Sequence, residues 1–444
     1  LLADGQRYDL PVPLALYLAG AGATVALSFA VMALFVRRRG DAAPGVEFSL
    51  SGTLAARLLG NPVVIGLLRV FFVGVFALVL AAGFYGIDNP QRNIAPVTVW
   101  IVGWIGIAYF SALVGDLWSL VNPWSTIYRW VVRRDDNVRD YPAWLGTWPA
   151  ILLFWAFAWL ELVSESGESP HQLAFLIVMY SAVTWSGMAV FGRLAWLRHG
   201  EAFSVVFALF GRFAPLGQGR QGGLALRPPA VGLLTQTPVS LSYTIFVLLI
   251  LSTVTFDGFL ETPAWAGLLQ EALAGPATQL LQDFGLNPLK TFKSLAMLVF
   301  LLGFVGIYLL CCRLMAFAEA DLSVRRLAGS FVLPLVPIAI AYHLAHYLSY
   351  LLISGQAIIP LASDPFGFGW DLFGSADYRT DIGIIGARAV WYLSVASIVI
   401  GHLIAVYLSH RMAMRVFSTA RAALCSQAPM LALMVGYTMI SLWI

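Results

Sequence analysis

Ten stretches of the chain are apolar enough to cross a lipid bilayer as helices. A helix needs about 20 mainly apolar residues to span the hydrocarbon core, and it satisfies its backbone hydrogen bonds within the segment, as lipid requires. The stretches cover residues 13–36, 63–85, 97–115, 148–163, 173–192, 239–256, 294–312, 330–353, 387–409 and 428–444. The sequence therefore predicts an all-α, polytopic transmembrane helical bundle of about ten spans, with residues 1–444 forming a single integral membrane domain.

Composition excludes an ordinary soluble domain. Hydrophobic residues make up 60% of the 444 residues and charged residues only 11%, whereas soluble domains carry about 25% charged residues. The net charge of +3 is explained by the Lys and Arg residues that membrane proteins concentrate in cytoplasmic loops. The sequence thus predicts the lipid bilayer as a partner and excludes nucleic acid as one.

The distribution of basic residues predicts the orientation of the bundle. Most of the 26 Lys and Arg residues lie in the segments that would face inward if the N-terminus lies outside. Such an asymmetry, alternating at every crossing, indicates which loops are cytoplasmic. The sequence therefore predicts that both termini lie on the outer side.

Two of the connections have the pattern of helices that lie along the membrane surface. Between residues 117 and 131 apolar side chains recur at helical spacing opposite polar ones, and Pro123 predicts a bend. On the outer side, Pro263 occupies a favourable first helical position and Gly275 a favourable end. We therefore expect interfacial helices on both sides of the bundle.

Three histidines lie inside predicted spans. His343 and His346 are three residues apart, so their rings share one helical face, and His402 lies midway along the next span. Sequential spans are antiparallel, which brings His343 and His402 within reach of each other. Imidazoles grouped in this way bind Zn, Cu or Fe, and a pair on two facing helices ligates haem. The sequence predicts His343, His346 and His402 as metal ligands, or His343 and His402 as ligands of haem b.

A structural role for the same histidines is the alternative. Each ring can donate a hydrogen bond to a backbone carbonyl or to a nearby hydroxyl, such as Ser349, Ser394 or Ser397, and so tie helices together. In that case no cofactor is present.

Two carboxylates follow the sixth span on its outer side. Asp257 closes the span and Glu261 follows four residues later, so a helical continuation places both on one face. They are predicted as catalytic residues that act as a general base or complete a metal shell with His346. Alternatively, they are solvated caps of the neighbouring helices.

The outer connection between residues 355 and 386 is unusually long. Loops of this length without regular structure are uncommon unless they are functional. Its aromatic and aspartate side chains predict either a lid over an outward-facing cavity or a surface that docks on another subunit.

Five motifs resemble one known family. They are Gly-Gln-Arg-Tyr-Asp-Leu-Pro-Val-Pro (5–13), Gly-Asp-Leu-Trp-Ser-Leu-Val-Asn-Pro-Trp (115–124), Thr-Phe-Asp-Gly-Phe-Leu-Glu-Thr-Pro (255–263), Tyr-His-Leu-Ala-His-Tyr (342–347) and Gly-His-Leu-Ile-Ala-Val-Tyr-Leu-Ser-His (401–410). Together they resemble bacterial multispanning proteins called fenitrothion hydrolase-like. The resemblance covers nearly the whole chain.

This resemblance implies a membrane-bound enzyme that hydrolyses an organophosphorus ester in the bacterial inner membrane. It carries over Asp257, Glu261, His343, His346 and His402 as candidate functional residues. Family members often have a histidine near the mature N-terminus, where this chain reads Leu-Leu-Ala-Asp-Gly. An N-terminal metal ligand is therefore not expected here.

Three functions remain open from the sequence. The leading one is metal-assisted hydrolysis at a histidine-lined, outward-opening site, where the metal generates hydroxide and polarises the ester. The second is a non-catalytic subunit of a larger membrane complex, either a haem or metal carrier or a structural helper. The third is a proton-coupled transporter in which the histidines relay protons.

Overall fold

The chain is an all-α polytopic helical bundle, as predicted. A computed structural model describes residues 14–35, 47–132, 138–219 and 222–444. Each of the ten predicted stretches coincides with a helix in this part of the chain. These helices are α1 (Leu14–Phe35), α2 (Pro62–Tyr85), α3 (Ile94–Leu113), α4 (Trp148–Leu162), α5 (Pro170–Phe191), α6 (Leu241–Leu260), α7 (Pro288–Ala316), α8 (Val336–Ile353), α9 (Ala387–Val416) and α10 (Ala420–Trp443). The family-like motif at 5–13 lies outside the described residues.

Eight helical regions of the described chain are long and apolar enough to cross a membrane. They include every helix named above except α1 and α4, with α8 forming part of the helical region Val324–Ser363. The apolar part of α1, Leu18–Val31, is shorter, and α4 has 15 residues. The chain is therefore multi-pass, while ten as the number of spans stays a prediction.

Two of the spans depart from regular α-helix. The central part of α3 is a π-helix over Val97–Gly106, a wider coil that often marks functional sites. The helical region around α8 is divided into Val324–Phe331, a 3-10 turn at Leu333–Leu335 and α8 itself. Pro334 and Pro337 provide the reason, because proline donates no backbone hydrogen bond and clashes with the preceding turn.

Short helices connect the spans. They are Leu54–Gly60, Trp118–Val121, Pro123–Val131, Arg193–His199, Ala202–Gly211, Pro263–Ala274, Pro276–Asp283 and Ile358–Ser363, with 3-10 turns at Glu165–Gly167, Val231–Leu233 and Ser354–Ala357. Helices therefore form in both connections predicted to lie along the membrane surface. The first is interrupted at Asn122, whose side chain accepts a hydrogen bond from the Ser125 amide at 3.0 Å.

A small antiparallel sheet is the one β structure in the described residues. Its strands are β1 (Phe48–Ser49), β2 (Leu216–Gln218) and β3 (Leu224–Leu226), in the order β1-β3-β2. The register pairs Phe48 with Leu226 and Gly217 with Ala225. The sheet lies at the end of the bundle where α3 ends, because the Leu216 amide donates to the Val114 carbonyl at 3.0 Å.

The centre of the bundle is formed by α6 and by the helical region Val324–Ser363, which includes α8 and is the most deeply buried of these regions. Helices α8 and α9 pack against each other along their length, as expected for sequential spans. Their crossing is close at Gly401, where a Cβ atom would lie 2.4 Å from the Ala341 Cβ. Small residues permit such close approach between membrane helices. This packing fixes α8, which carries His343 and His346.

Candidate functional site

A polar cavity opens at the end of the bundle where α4, α6 and α8 terminate. Its volume is about 410 Å³, within the range of small-molecule sites. The three helices run in the same direction, so their carboxyl ends meet there although they are far apart in the sequence. Its lining includes the titratable residues Glu161, Glu168, Asp257, Glu261, His346, Tyr347 and Tyr350 and the hydroxyls of Ser164, Ser349 and Ser354.

Asp257 and His346 form a hydrogen-bonded pair in the cavity wall. The Nε2 atom of His346 lies 2.9 Å from Oδ2 of Asp257, and the two side chains are 19% and 18% exposed. An ionised carboxylate only accepts hydrogen bonds, so Nε2 carries the proton and Nδ1 has the free lone pair. Both residues line the cavity, so the pair is reachable from it.

Tyr347 links this pair to a second carboxylate. Its hydroxyl donates to Oδ2 of Asp257 at 2.5 Å and lies 3.4 Å from Oε1 of Glu161. Glu161 belongs to the last turn of α4. Four side chains from three helices thus form one hydrogen-bonded network at the bottom of the cavity.

Glu161 and Tyr347 were not predicted as site residues. Glu161 lies inside the apolar stretch 148–163, where one acidic residue barely changes the mean hydropathy. It could have been found from the sequence, because an ionisable side chain within a span is rare and is a functional candidate by default. Tyr347 follows His346 directly, and nothing in the sequence distinguishes it from an ordinary aromatic residue of the membrane interface.

Glu261 lies at the end of α6 and lines the same cavity as Asp257. Asp257 and Glu261 therefore both face the polar cavity, as their helical spacing predicts. Unlike Tyr347, Glu261 does not contact the Asp257–His346 pair directly. Their assignment as catalytic residues remains a prediction.

His343 lies one turn deeper than His346 and is enclosed by aromatic rings. It is 4% exposed, and its ring centroid lies 5.3 Å from Trp104, 5.5 Å from Tyr109 and 4.7 Å from Tyr347. Neither ring nitrogen has a hydrogen-bond partner in the described part of the chain. A small cavity of about 20 Å³, also lined by Glu161 and Tyr347, adjoins it. That volume accommodates one water molecule.

His402 has different neighbours. It is 1% exposed, its Nδ1 donates to the Ile398 carbonyl at 2.8 Å, and its ring lies 5.8 Å from that of Tyr437. This hydrogen bond stays within α9, so it does not tie helices together as the structural alternative for these histidines predicts. Ser394 also connects helices, since its hydroxyl donates to the Ala345 carbonyl at 2.9 Å.

The three histidines are not arranged as a common ligand set. His346 is engaged by Asp257, His343 by aromatic rings, and His402 by its own backbone and α10. Among the residues that the structure describes, no group of three or more His, Cys, Asp or Glu side chains is placed to hold a metal ion. His402 also does not contribute to the small cavity beside His343. A metal or haem at these histidines stays a prediction, and no chemical step is assigned to either.

The long outer connection packs beside the cavity. The Phe366 carbonyl accepts from the Ile87 amide at 2.9 Å, and Arg92 donates to the Gly367 carbonyl at 3.0 Å. These bonds attach the connection to the segment between α2 and α3. None of residues 355–386 lines the polar cavity. The lid and the docking surface both stay predictions.

Comparisons of the chain with known protein families, with curated proteins and with solved structures find no match. The resemblance to fenitrothion hydrolase-like proteins consequently rests on the sequence motifs alone. Function has to be argued from the chemistry of the cavity.

Proposed function

We propose that the chain is a membrane-embedded hydrolase in which His346 is the general base and Asp257 orients it. The observation that carries the proposal is the 2.9 Å contact between His346 Nε2 and Asp257 Oδ2 in the wall of an open cavity. A base held by a carboxylate, with its other nitrogen free, is the arrangement that activates a nucleophile in many unrelated enzymes.

The reaction that this geometry supports is attack of water on an ester. His346 Nδ1 takes a proton from water, and the resulting hydroxide bonds to the phosphorus or carbonyl carbon. The bond to the leaving oxygen then breaks, and that oxygen receives the proton from His346, so charge and atoms balance. Tyr347 keeps Asp257 in position through its hydrogen bond to Oδ2, and Glu161 lies near the same hydroxyl.

The substrate class is proposed from the motifs and the cavity together. The resemblance favours an organophosphorus ester, and the volume of about 410 Å³ is sufficient for an ester of that size. Two carboxylates, those of Glu168 and Glu261, line the cavity beside the Asp257–His346 pair. They favour an uncharged triester over an anionic diester, because like charges repel.

Proton-coupled transport is the second candidate. The helical region around α8 is broken at Leu333–Leu335, and interrupted helices near a buried polar site are typical of transporters. His343, with both ring nitrogens unpartnered and a water-sized cavity beside it, would extend a proton path inward. Substrate turnover distinguishes the two candidates.

We also propose that the protein lies in the bacterial inner membrane with its N-terminus outside. This orientation follows from the basic residues, and it places the carboxyl ends of α4, α6 and α8, and hence the cavity, on the outer side. Contact with further membrane-complex subunits is compatible with the exposed apolar residues of the outer connection, such as Phe373, which is 75% exposed.

Thiol labelling in intact cells tests the orientation. In a Cys425→Ser background, Asp283→Cys should react with a membrane-impermeant maleimide, whereas Asp321→Cys should react only after permeabilisation. Both aspartates are exposed, and Cys311 and Cys312 are buried. The reverse labelling pattern would place the cavity on the cytoplasmic side and contradict the proposed orientation.

Replacing His346 tests the proposed reaction. Purified protein in detergent should hydrolyse a dialkyl p-nitrophenyl phosphate or a p-nitrophenyl ester, and His346→Asn should lower kcat by about 10²- to 10⁴-fold. The matched control is His171→Asn, an exposed histidine at the same end of the bundle. Thermal unfolding of both variants checks that they fold.

Three results would contradict the hydrolase. His346→Asn could retain full activity, which would exclude it as the base. Wild-type protein in vesicles could move protons without hydrolysing any ester, which would favour the transporter. Stoichiometric metal or a Soret band in the purified protein, lost together with activity in His346→Asn, would show that the base mechanism is wrong.

A further inference from the structure

A groove lined almost entirely by apolar side chains lies between α2, α3, α4 and α5. We call it the apolar groove. Its volume is about 390 Å³, and along α5 it extends from Leu173 to Val183, a length of about 15 Å. Val102, Met179 and Val183 line it and are 41%, 51% and 45% exposed. The apolar groove is therefore open to the hydrocarbon chains of the surrounding bilayer.

The short helix Pro123–Val131 closes the apolar groove at the end of the bundle where α3 ends. Trp124 of this helix lines the groove. Its Nε1 donates to Ser181 Oγ of α5 at 2.7 Å, and its ring lies 5.6 Å from that of Phe76 of α2. The helix therefore connects α2 to α5 at this end of the groove.

Three arginines lie at this closed end. Arg69 precedes the groove residue Phe72 by three positions on α2, so the two side chains share one helical face. Arg129 lies on the same short helix as Trp124, and Arg193 begins the helix that follows α5. Each of the elements that meet at the closed end thus contributes, directly or through the helix after it, one arginine.

These three residues form one positively charged group, which we call the arginine cluster. Arg69 Nε donates to the Leu120 carbonyl at 2.9 Å, and Arg193 Nη1 donates to Ser125 Oγ at 3.2 Å. Ser125 lies one helical turn before Arg129. Arg129 and Arg193 are both close enough to Arg69 for their charges to repel its own. A bound anion removes this repulsion.

Two members of the cluster lack a counter-charge in the structure. Among the residues that the structure describes, no carboxylate forms an ion pair with Arg69 or Arg129. Arg69 also lies inside the span α2, seven residues or about 10 Å along the helix from Pro62. Ionisable side chains within a span are rare and need a partner. Arginine binds phosphate oxygens well, and basic pockets between membrane helices bind anionic head groups.

We propose that the apolar groove and the arginine cluster together bind one anionic phospholipid, with its phosphate at Arg69 and Arg129 and one acyl chain in the groove. The phosphate supplies the missing negative charge, and the chain covers the apolar side chains. The second acyl chain stays in the bilayer. In the proposed orientation the lipid belongs to the inner leaflet, and its binding does not depend on the proposed hydrolase function.

Removing the charges tests the head-group half of the site. Delipidated protein in a neutral detergent should bind one dioleoylphosphatidylglycerol, and native mass spectrometry gives its Kd. We expect the double variant Arg69→Gln/Arg129→Gln to raise this Kd at least about tenfold. Arg57→Gln/Arg415→Gln is the matched control, because it removes two exposed positive charges at the same end of the bundle. Equal losses in both double variants would overturn the proposal, since binding would then follow net charge alone.

The single variant Arg129→Gln keeps the test valid if replacement of Arg69 impairs folding. Arg129 is exposed, so its replacement leaves the packing of the bundle in place. Its Kd for dioleoylphosphatidylglycerol should rise about threefold to tenfold. Thermal unfolding without lipid checks that each variant folds. An unchanged Kd in Arg129→Gln would contradict the proposed phosphate site.

Filling the groove tests the acyl-chain half. Ala156 of α4 is exposed and lines the groove, so Ala156→Trp should exclude the chain and raise the Kd at least about threefold. Leu152→Trp is the control, because Leu152 lies one turn earlier on α4, is 68% exposed and does not line the groove. Equal Kd values in the two variants would show that the lipid does not use the groove.

Two further ligands separate the lipid from its parts. Dioleoylphosphatidylcholine has the same chains but no net charge, and it should bind at least about tenfold more weakly. Glycerophosphoglycerol has the same head without chains, and it should not compete. Equal binding of the two lipids would overturn the proposal, because the groove would then take any bilayer chain. Full competition by glycerophosphoglycerol would also overturn it, because the cluster would then be a site for soluble phosphates.

Discussion

Replacing Asp257 by asparagine should lower kcat by about 10³- to 10⁴-fold while leaving the fold intact. The size of this effect is that of removing the orienting carboxylate from a serine-protease triad. The asparagine amide can donate a hydrogen bond to His346 Nε2, which favours the tautomer with its proton on Nδ1. The free lone pair then lies on Nε2 and points at residue 257 instead of the cavity. Steady-state kinetics with the esters named above, together with thermal unfolding, measure both parts of the expectation.

Glu271→Gln is the control for this variant. Glu271 is an exposed carboxylate of the helix Pro263–Ala274, so its loss removes one negative charge from the same end of the bundle without touching the network. Its kcat should stay near that of the wild type. An Asp257→Asn protein whose kcat lies within tenfold of the wild type would exclude the proposed pair as the catalytic centre.

Replacing Glu201 by alanine should destabilise the protein by about 3 kcal/mol or more. Its side chain is fully buried and caps the helix Ala202–Gly211 by accepting from the amides of Phe203 at 2.9 Å and Ser204 at 2.7 Å. It also accepts a hydrogen bond from the Tyr180 hydroxyl. Alanine leaves three buried donors unsatisfied, each at about 1 to 3 kcal/mol. Denaturant unfolding in detergent micelles measures the loss.

Two variants show whether burial is the cause. Ser323→Ala removes a cap from the helix Val324–Phe331, where the Ser323 hydroxyl accepts from the Arg326 amide in an exposed setting, and should cost about 1 kcal/mol. Glu201→Gln keeps one acceptor oxygen, so its loss of unfolding free energy should lie between those of Glu201→Ala and Ser323→Ala. If Glu201→Ala lowered the free energy of unfolding no more than Ser323→Ala, the buried hydrogen bonds of Glu201 would contribute no more stability than an ordinary exposed cap.

The helical elements were predictable because their signals are local. Apolar length identified each spanning helix, and the proline and glycine positions identified the helix after Thr262. The interruption before α8 was missed, although Pro334 and Pro337 were visible, because the surrounding apolar residues continue without a break. The buried helix Ala202–Gly211 was missed as well, since ten residues are too few for a span.

The candidate site was predictable only in part. Asp257, Glu261 and His346 were placed correctly on helical faces by their spacing, and all three line one cavity. The grouping of His343 with His402 at one site stays a prediction, because spacing along a helix does not determine which neighbour a ring faces. In the structure, Trp104 and Tyr109 enclose His343, and those aromatic residues come from a span more than 200 positions earlier in the chain.

By itself, the sequence determined that this protein is a helical membrane bundle and that ionisable residues interrupt its apolar spans. Helix formation in lipid follows from the length and apolarity of each segment, which are properties of contiguous residues. Only the tertiary structure decided that Glu161, Asp257 and His346 meet at Tyr347. These residues lie on three helices that are separated in the chain, and their meeting depends on how those helices pack.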